Sequence, residues 1–342
     1  MTALPQCAPS HAGRSRGPGV SRIIAPFPNG AVHGPHSRRR HETRPGGAGH
    51  SQIFCEAGTG RLPTIVIAGF LPDATESIEY QREHLARYGD VYYLNYPRDR
   101  FSTRLLFAEL SALIRQLNAR GERPVLFSIC FGSGLLVQYF REAAHAPHRG
   151  IAGLVMVSPV LCAADMARLD GGGDASAPLR ERAARMFFFH DCHDDVERGV
   201  AKARRAFTIL FRRERVTRLL NNRNTTIMAR VLAAVDEITV AGYYERALAL
   251  KALTWPAADE PIFHGPALVL FAEDEDGVFV PSSPTLAALR RPSVAAKLFP
   301  GAAVHEVASS DAGDPVVHGS IAVHHHYFNP FIIGWYEHLL TA

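Results

Sequence analysis

Ser128-Ile129-Cys130-Phe131-Gly132-Ser133 sets a cysteine between small residues where an apolar run, Val125 to Ile129, gives way to a helical pattern, Gly132 to Ala144. A thiol on such a turn projects from a strand end into a site, and at a helix N-terminus beside a histidine it is expected to react as thiolate. Ser133 falls in the first helical turn and reads as a helix-start residue. Two further groups follow downstream: an acidic turn, Glu273-Asp274-Glu275-Asp276, and histidines at His305, His318, His324, His325 and His326. A nucleophile, a base and a carboxylate that orients the base are the parts of covalent acyl chemistry.

The elements that must position these groups alternate in type. Thr64 to Ala68, Val91 to Tyr96, Val125 to Ile129, Ile151 to Ser158 and Ala267 to Phe271 are short β-branched or apolar runs that read as buried strands, and Val304 to Ala308 reads as a last strand. Helical patterns separate them: Thr75 to Tyr88, Ser102 to Gly121 with Ser102 as N-cap, Gly132 to Ala144, a helix from Pro284, and Pro330 to Leu340 at the end. This is the rhythm of a parallel α/β sheet. It stops between Asp165 and Asp259, where helical patterning without strands predicts a cap over one domain, about 165–259. Residues 1–60, rich in Gly, Pro, Ser, His and Arg and without periodicity, are expected to be a disordered extension preceding a domain at 61–342.

The elbow Ser128-Ile129-Cys130-Phe131-Gly132 resembles the nucleophile elbow of the α/β-hydrolase superfamily, G-x-S-x-G, with Ser128 for the first glycine and Cys130 at the nucleophile. The resemblance extends from Arg61 to the C-terminus and includes the chain order nucleophile, acid, histidine. It implies an α/β-hydrolase fold, a mostly parallel sheet flanked by helices with a helical cap insertion. Asp276 matches the family's acid, D-x-V before Pro281, with Asp274 as the alternative. His318, followed by Gly319 between the last strand and last helix, matches the family's histidine, with His326 second. The oxyanion hole would be the N–H groups of Phe131 and of Phe70 in Ala68-Gly69-Phe70, where many relatives read His-Gly-x. Cysteine nucleophiles in this superfamily occur in dienelactone hydrolases and polyhydroxyalkanoate synthases, both similar to this chain only at the elbow.

Composition narrows the alternatives. The 342 residues are 47% hydrophobic and 20% charged, which excludes a disordered, collagenous or disulfide-framework protein. The formal charge of +4 belongs to residues 1–60, which hold seven arginines against Glu42 and Glu56; the remainder has 30 basic and 31 acidic residues. No nucleic-acid partner is expected from such a balance. Five cysteines without C-x-x-C spacing predict neither a disulfide scaffold nor structural zinc, and a reducing, cytoplasmic setting. Gly150 to Ala164 is too short, and too broken by Ser158-Pro159, to span a membrane.

Arg198 to Arg223 holds nine basic residues and one acid, with Val200, Ala203, Phe207, Leu210 and Phe211 at helical spacing. Such a basic amphipathic helix is either a solvated face or a dock for an anionic acyl donor, coenzyme A or an acyl carrier protein, through Arg212, Arg213 and Arg215. His190 to Asp195 cannot enclose a metal without a second segment, and no cofactor motif is present. The expected activity is an esterase or thioesterase working through an acyl-cysteine on a small acyl substrate. The alternatives are an acyltransferase or polymerase using coenzyme A or carrier-protein thioesters, and a degenerate hydrolase-fold binding protein.

Overall fold

The computed structural model describes residues 49–71, 73–142, 150–166, 196–198, 200–201, 205, 222–256, 261–276 and 278–341. Strands β1 (Gln52–Glu56), β2 (Thr64–Ile67), β3 (Val91–Asn95), β4 (Val125–Ile129), β5 (Gly153–Val157), β6 (Pro266–Ala272) and β7 (Gly301–Val307) form one sheet in the order β1-β3-β2-β4-β5-β6-β7. All neighbouring pairs are parallel except β1 with β3. Every residue of β2 to β5 is buried, as unbroken apolar runs require when helices cover both faces. The described α-helices are α1 (Ala74–Ser77), α2 (Arg82–Tyr88), α3 (Thr103–Ala119), α4 (Phe131–Glu142), α5 (Asn222–Glu237), α6 (Val240–Lys251), α7 (Pro284–Leu289), α8 (Pro292–Leu298) and α9 (His325–Thr341).

From β2 the chain steps to β3 on one side and then to β4 on the other. This reversal opens a crevice at the carboxyl ends of β2 and β4, where open α/β sheets place their sites.

Several boundaries differ from those read in the sequence. β1 lies inside the stretch expected to be disordered: three of its five residues are buried, and it pairs with β3 from Gln52↔Asn95 to Glu56↔Val91. Its end is held by Glu56, which accepts from Arg82 Nη2 at 3.0 Å and from the Tyr93 hydroxyl at 2.9 Å. Those partners are distant in sequence, so composition around residue 55 could not reveal them. The predicted helix 75–88 is two helices, broken where the Gln81 amide turns to donate to Asn329 and to the Ile321 carbonyl. α3 begins as expected, with the Ser102 hydroxyl accepting from Leu105 N–H. The last helix starts at His325 rather than Pro330.

Between β5 and β6 the described residues contain α5 and α6, helical as expected of the insertion. Arg212, Arg213, Arg215 and His190 to Asp195 lie outside the described residues. Among those described, no helix is long and apolar enough to cross a membrane. Cys130 and Cys162 are free, while Cys55 is disulfide-bonded, a departure from the reduced state expected of the cysteines.

One buried carboxylate fastens the end of β5 to α7. Asp165, fully buried, accepts from Leu161 and Cys162 N–H, from the Ser283 hydroxyl, and from Thr285 through both its N–H and its hydroxyl at 2.6–3.0 Å. Removing it orphans donors from both segments. Asp165→Ala should therefore cost about 2–4 kcal/mol in urea unfolding; a loss below about 1 kcal/mol would contradict this role.

Candidate active site

β4 ends at Ile129, α4 starts at Phe131, and Cys130 between them has φ +50°. A non-glycine residue holds that conformation only where its surroundings enforce it. Here Cys130 N–H donates to Val157 O at 2.9 Å, while its carbonyl accepts from Ser133 N–H at 3.0 Å and Val160 N–H at 3.2 Å. Gly132 permits the turn, because a Cβ there would lie 2.5 Å from Ala68 O and 2.8 Å from Ile67 O. Ser128 fits the turn because its hydroxyl meets Ser133 Oγ at 2.9 Å and donates to Val155 O at 3.2 Å. Ser133 is thereby a structural partner of the turn. The Cys130 side chain is half-buried at the crevice.

The loop after β7 brings His318 to this thiol. Its backbone N–H donates to Asp274 O at 3.1 Å, and the next residue, Gly319, has φ +64° and donates to the Ser158 hydroxyl at 3.0 Å. Ser158, at the end of β5, is itself at φ +45° and buried. His318 Nδ1 lies 2.5 Å from Glu275 Oε2, and the Phe279 ring meets the imidazole edge-on at 5.3 Å. The other ring nitrogen, Nε2, is buried with no hydrogen-bond partner of ordinary geometry among the described residues. Burial is the largest influence on the imidazole and opposes its charge. Glu275 and Cys130, through charge and hydrogen bonding, outweigh it and raise the ring from 6.5 to about 10.

The carboxylate against His318 is therefore Glu275, not Asp276. Asp276 is exposed, and its backbone N–H donates to Asp274 Oδ1 at 3.1 Å. Asp274 pairs through its backbone with Val317, so its contribution is to dock the histidine loop. Glu275 is 2% exposed, and its Oε1 accepts from Ala272 N–H at 2.8 Å while Oε2 faces the imidazole. Four acids in four consecutive residues left the choice to the spacing the resemblance implies; the path of the turn decides which points inward.

The remaining histidines have other neighbours. His326 packs against Tyr327 at 4.0 Å, His325 stacks on Tyr80 at 4.0 Å, and His305 on β7 faces Phe331 at 5.0 Å. His324 is buried, with Nδ1 2.8 Å from Ser320 Oγ and Nε2 3.5 Å from Asp314. No group of three His, Cys, Asp or Glu that could hold a metal occurs among the described residues.

Opposite the elbow, the loop after β2 runs close to the thiol: a Cβ on Gly69 would lie 3.7 Å from Cys130 Cβ. Phe70 follows, its ring edge-on to Phe131 at 5.5 Å. The N–H of Phe131 opens α4, where helical N–H groups have no intrahelical acceptor.

No protein-family model matches the chain, and no curated protein sequence matches it. Solved structures do. An esterase from Thermogutta terrifontis is 14% identical, with 84% of this chain and 94% of that one covered, at a TM-score of 0.56. An esterase from Exiguobacterium antarcticum is 12% identical, covering 84% and 96%, and a bromoperoxidase from Bacillus anthracis 17%, covering 84% and 96%, both at 0.56. The chain has the α/β-hydrolase fold. Within that α/β-hydrolase fold, Cys130 occupies the strand–helix elbow, Glu275 the turn after β6, and His318 the loop before the last helix.

The raised imidazole predicts a pH effect on stability. Because the folded value lies above 6.5, the interaction stabilises fully below pH 6.5 and is lost as pH rises to about 10. The stability gap between the parent and Glu275→Gln, from urea unfolding, should narrow by about 1–3 kcal/mol over that interval. A gap independent of pH would show that His318 is not charged beside Glu275.

Proposed function

We propose that the protein is an acyl hydrolase, an esterase or thioesterase, that works through a covalent acyl-cysteine. The observation that carries this reading is the buried line from Glu275 through His318 to a thiol held at positive φ. Cys130 Sγ attacks the substrate carbonyl carbon, with the proton of the thiol residing on His318 Nε2. Phe70 and Phe131 N–H stabilise the resulting oxyanion. The intermediate then collapses, the C–O or C–S bond to the leaving group breaks, and the leaving group takes the proton from His318. Water, losing a proton to His318, attacks the thioester and releases the acid and the thiol. Glu275 keeps Nε2 facing the thiol and stabilises the imidazolium in both halves.

The esterase neighbours support ester chemistry as the first substrates to test. A cysteine nucleophile favours one second reading, since an acyl thioester retains the energy needed for transfer to an acceptor other than water. Coenzyme A or an acyl carrier protein, met by Arg212, Arg213 and Arg215, would be the partner in that case.

Intact-mass spectrometry after exposure to p-nitrophenyl esters and acyl thioesters tests the reading. An adduct of acyl mass on Cys130, absent in Cys130→Ala, is expected; no adduct and no turnover with any donor would leave a degenerate binding protein. Glu275→Ala should lower kcat by roughly 10²–10⁴-fold, whereas Asp276→Ala should stay within about twofold, as exposed substitutions away from a site do. The reverse ranking would return the acid's role to Asp276.

A further inference from the structure

Resting on the acyl-cysteine reading, we propose that Arg246 and Tyr96 are positioning residues for the oxyanion-hole loop. They would hold the Phe70 amide ready for the tetrahedral intermediate from within the fold, without touching substrate. Arg246 lies on α6, in the insertion between β5 and β6, and is 1% exposed. A guanidinium is costly to bury, and such groups are retained where their donors are used. Its described hydrogen bonds end on main-chain carbonyls: Nη1 donates to Phe70 O at 3.0 Å, and Nη2 to Pro97 O at 3.1 Å and Tyr96 O at 3.4 Å. One planar fork thus joins the loop after β2 to the loop after β3. The guanidinium carbon also lies 5.3 Å from the centre of the Tyr96 ring, and the Tyr96 hydroxyl donates to Ala68 O at 2.9 Å.

The two residues therefore grip the loop on both sides of the amide that matters. Ala68 O belongs to the peptide before Gly69, and Phe70 O to the peptide after Phe70. With those two peptides held, the Cα atoms of Gly69 and Phe70 are placed. The amide between them retains only rotation about the line joining its Cα atoms. That rotation is resisted by the Phe70 side chain, packed edge-on against Phe131 at 5.5 Å and Tyr243 at 5.4 Å. A loop containing glycine next to the nucleophile would otherwise flip readily, since Gly69 has no Cβ to resist it. Donors already in place are what make an oxyanion hole effective. Burial lowers the guanidinium to about 10, partly offset by Asp73, so it remains charged at neutral pH. Lysine, a single point donor, cannot span both loops.

Ester acylation of Cys130 passes through an oxyanion, while alkylation of the same thiol by iodoacetamide is a displacement at saturated carbon and does not. Comparing the two rates in full-length parent, Arg246→Lys, Arg246→Met and Tyr96→Phe separates positioning from general damage. The parent should be acylated by p-nitrophenyl butyrate. Arg246→Met should lose about 10–100-fold in acylation rate and kcat, a fraction of the effect of deleting an oxyanion donor. Its KM should stay within about threefold and its alkylation rate within about twofold, since uniform binding and the thiol are untouched. Arg246→Lys should recover part of the loss. Tyr96→Phe, which removes one hydroxyl and keeps the ring, should show the same split at smaller size, and it decides the matter if the Arg246 variants do not fold. Parallel loss of acylation and alkylation, or unchanged acylation in Tyr96→Phe and Arg246→Met, overturns the inference. Absence of acylation in the parent overturns the acyl-cysteine reading itself.

Discussion

The site depends on one constraint: β4 must end in a residue at positive φ and pass at once into α4. That turn allows Cys130 to leave the sheet sideways, while its N–H and C=O remain bonded to Val157, Ser133 and Val160. It works only if α4 can approach the end of β2, which the hydrogen in place of a side chain at Gly132 permits. The same approach carries the Gly69-Phe70 loop against the thiol. The position of the thiol and that of the Gly69-Phe70 loop beside it thus follow from a single close contact between β2 and the start of α4.

The neighbouring strand repeats the device. Ser158 at the end of β5 is also at positive φ, and its hydroxyl accepts from Gly319 N–H beside His318. Two strained residues on adjacent strands thereby aim the thiol and anchor the histidine loop. Strain of order 1–3 kcal/mol at each is held by the surrounding hydrogen bonds and by a sheet whose central strands are entirely buried.

Charge is handled by enclosure rather than by exposure to solvent. Glu275 and His318 are buried together, so each carries what the other needs, and the imidazole is raised despite its desolvation. Asp165 and Arg246 are likewise buried, Asp165 meeting side-chain and amide donors and Arg246 directing both Nη groups at carbonyls. Arg246 makes the insertion part of the site's framework, although the insertion supplies none of the three residues lined up at the elbow.

A parallel α/β sheet was legible in the sequence, because strand and helix periodicities are local and the central strands announce themselves as buried apolar runs; the α/β-hydrolase fold was implied by the resemblance at the elbow. The elbow at Cys130 was legible too, since a thiol among small residues at a strand–helix junction is visible in a few consecutive residues, and the resemblance singled out His318, a histidine before a glycine ahead of the last helix. The tertiary structure alone decided between Glu275 and Asp276, whose side chains leave the same turn in different directions according to how Asp274 pairs with Val317. It alone revealed β1, which is a strand because β3 and Arg82 receive it, and Arg246, whose acceptors lie about 150 to 176 residues away along the chain. Spacing records which face of a helix or strand a residue occupies. Where a turn points its side chain, and what a distant loop brings to meet it, depends on contacts that exist only once the sheet has assembled.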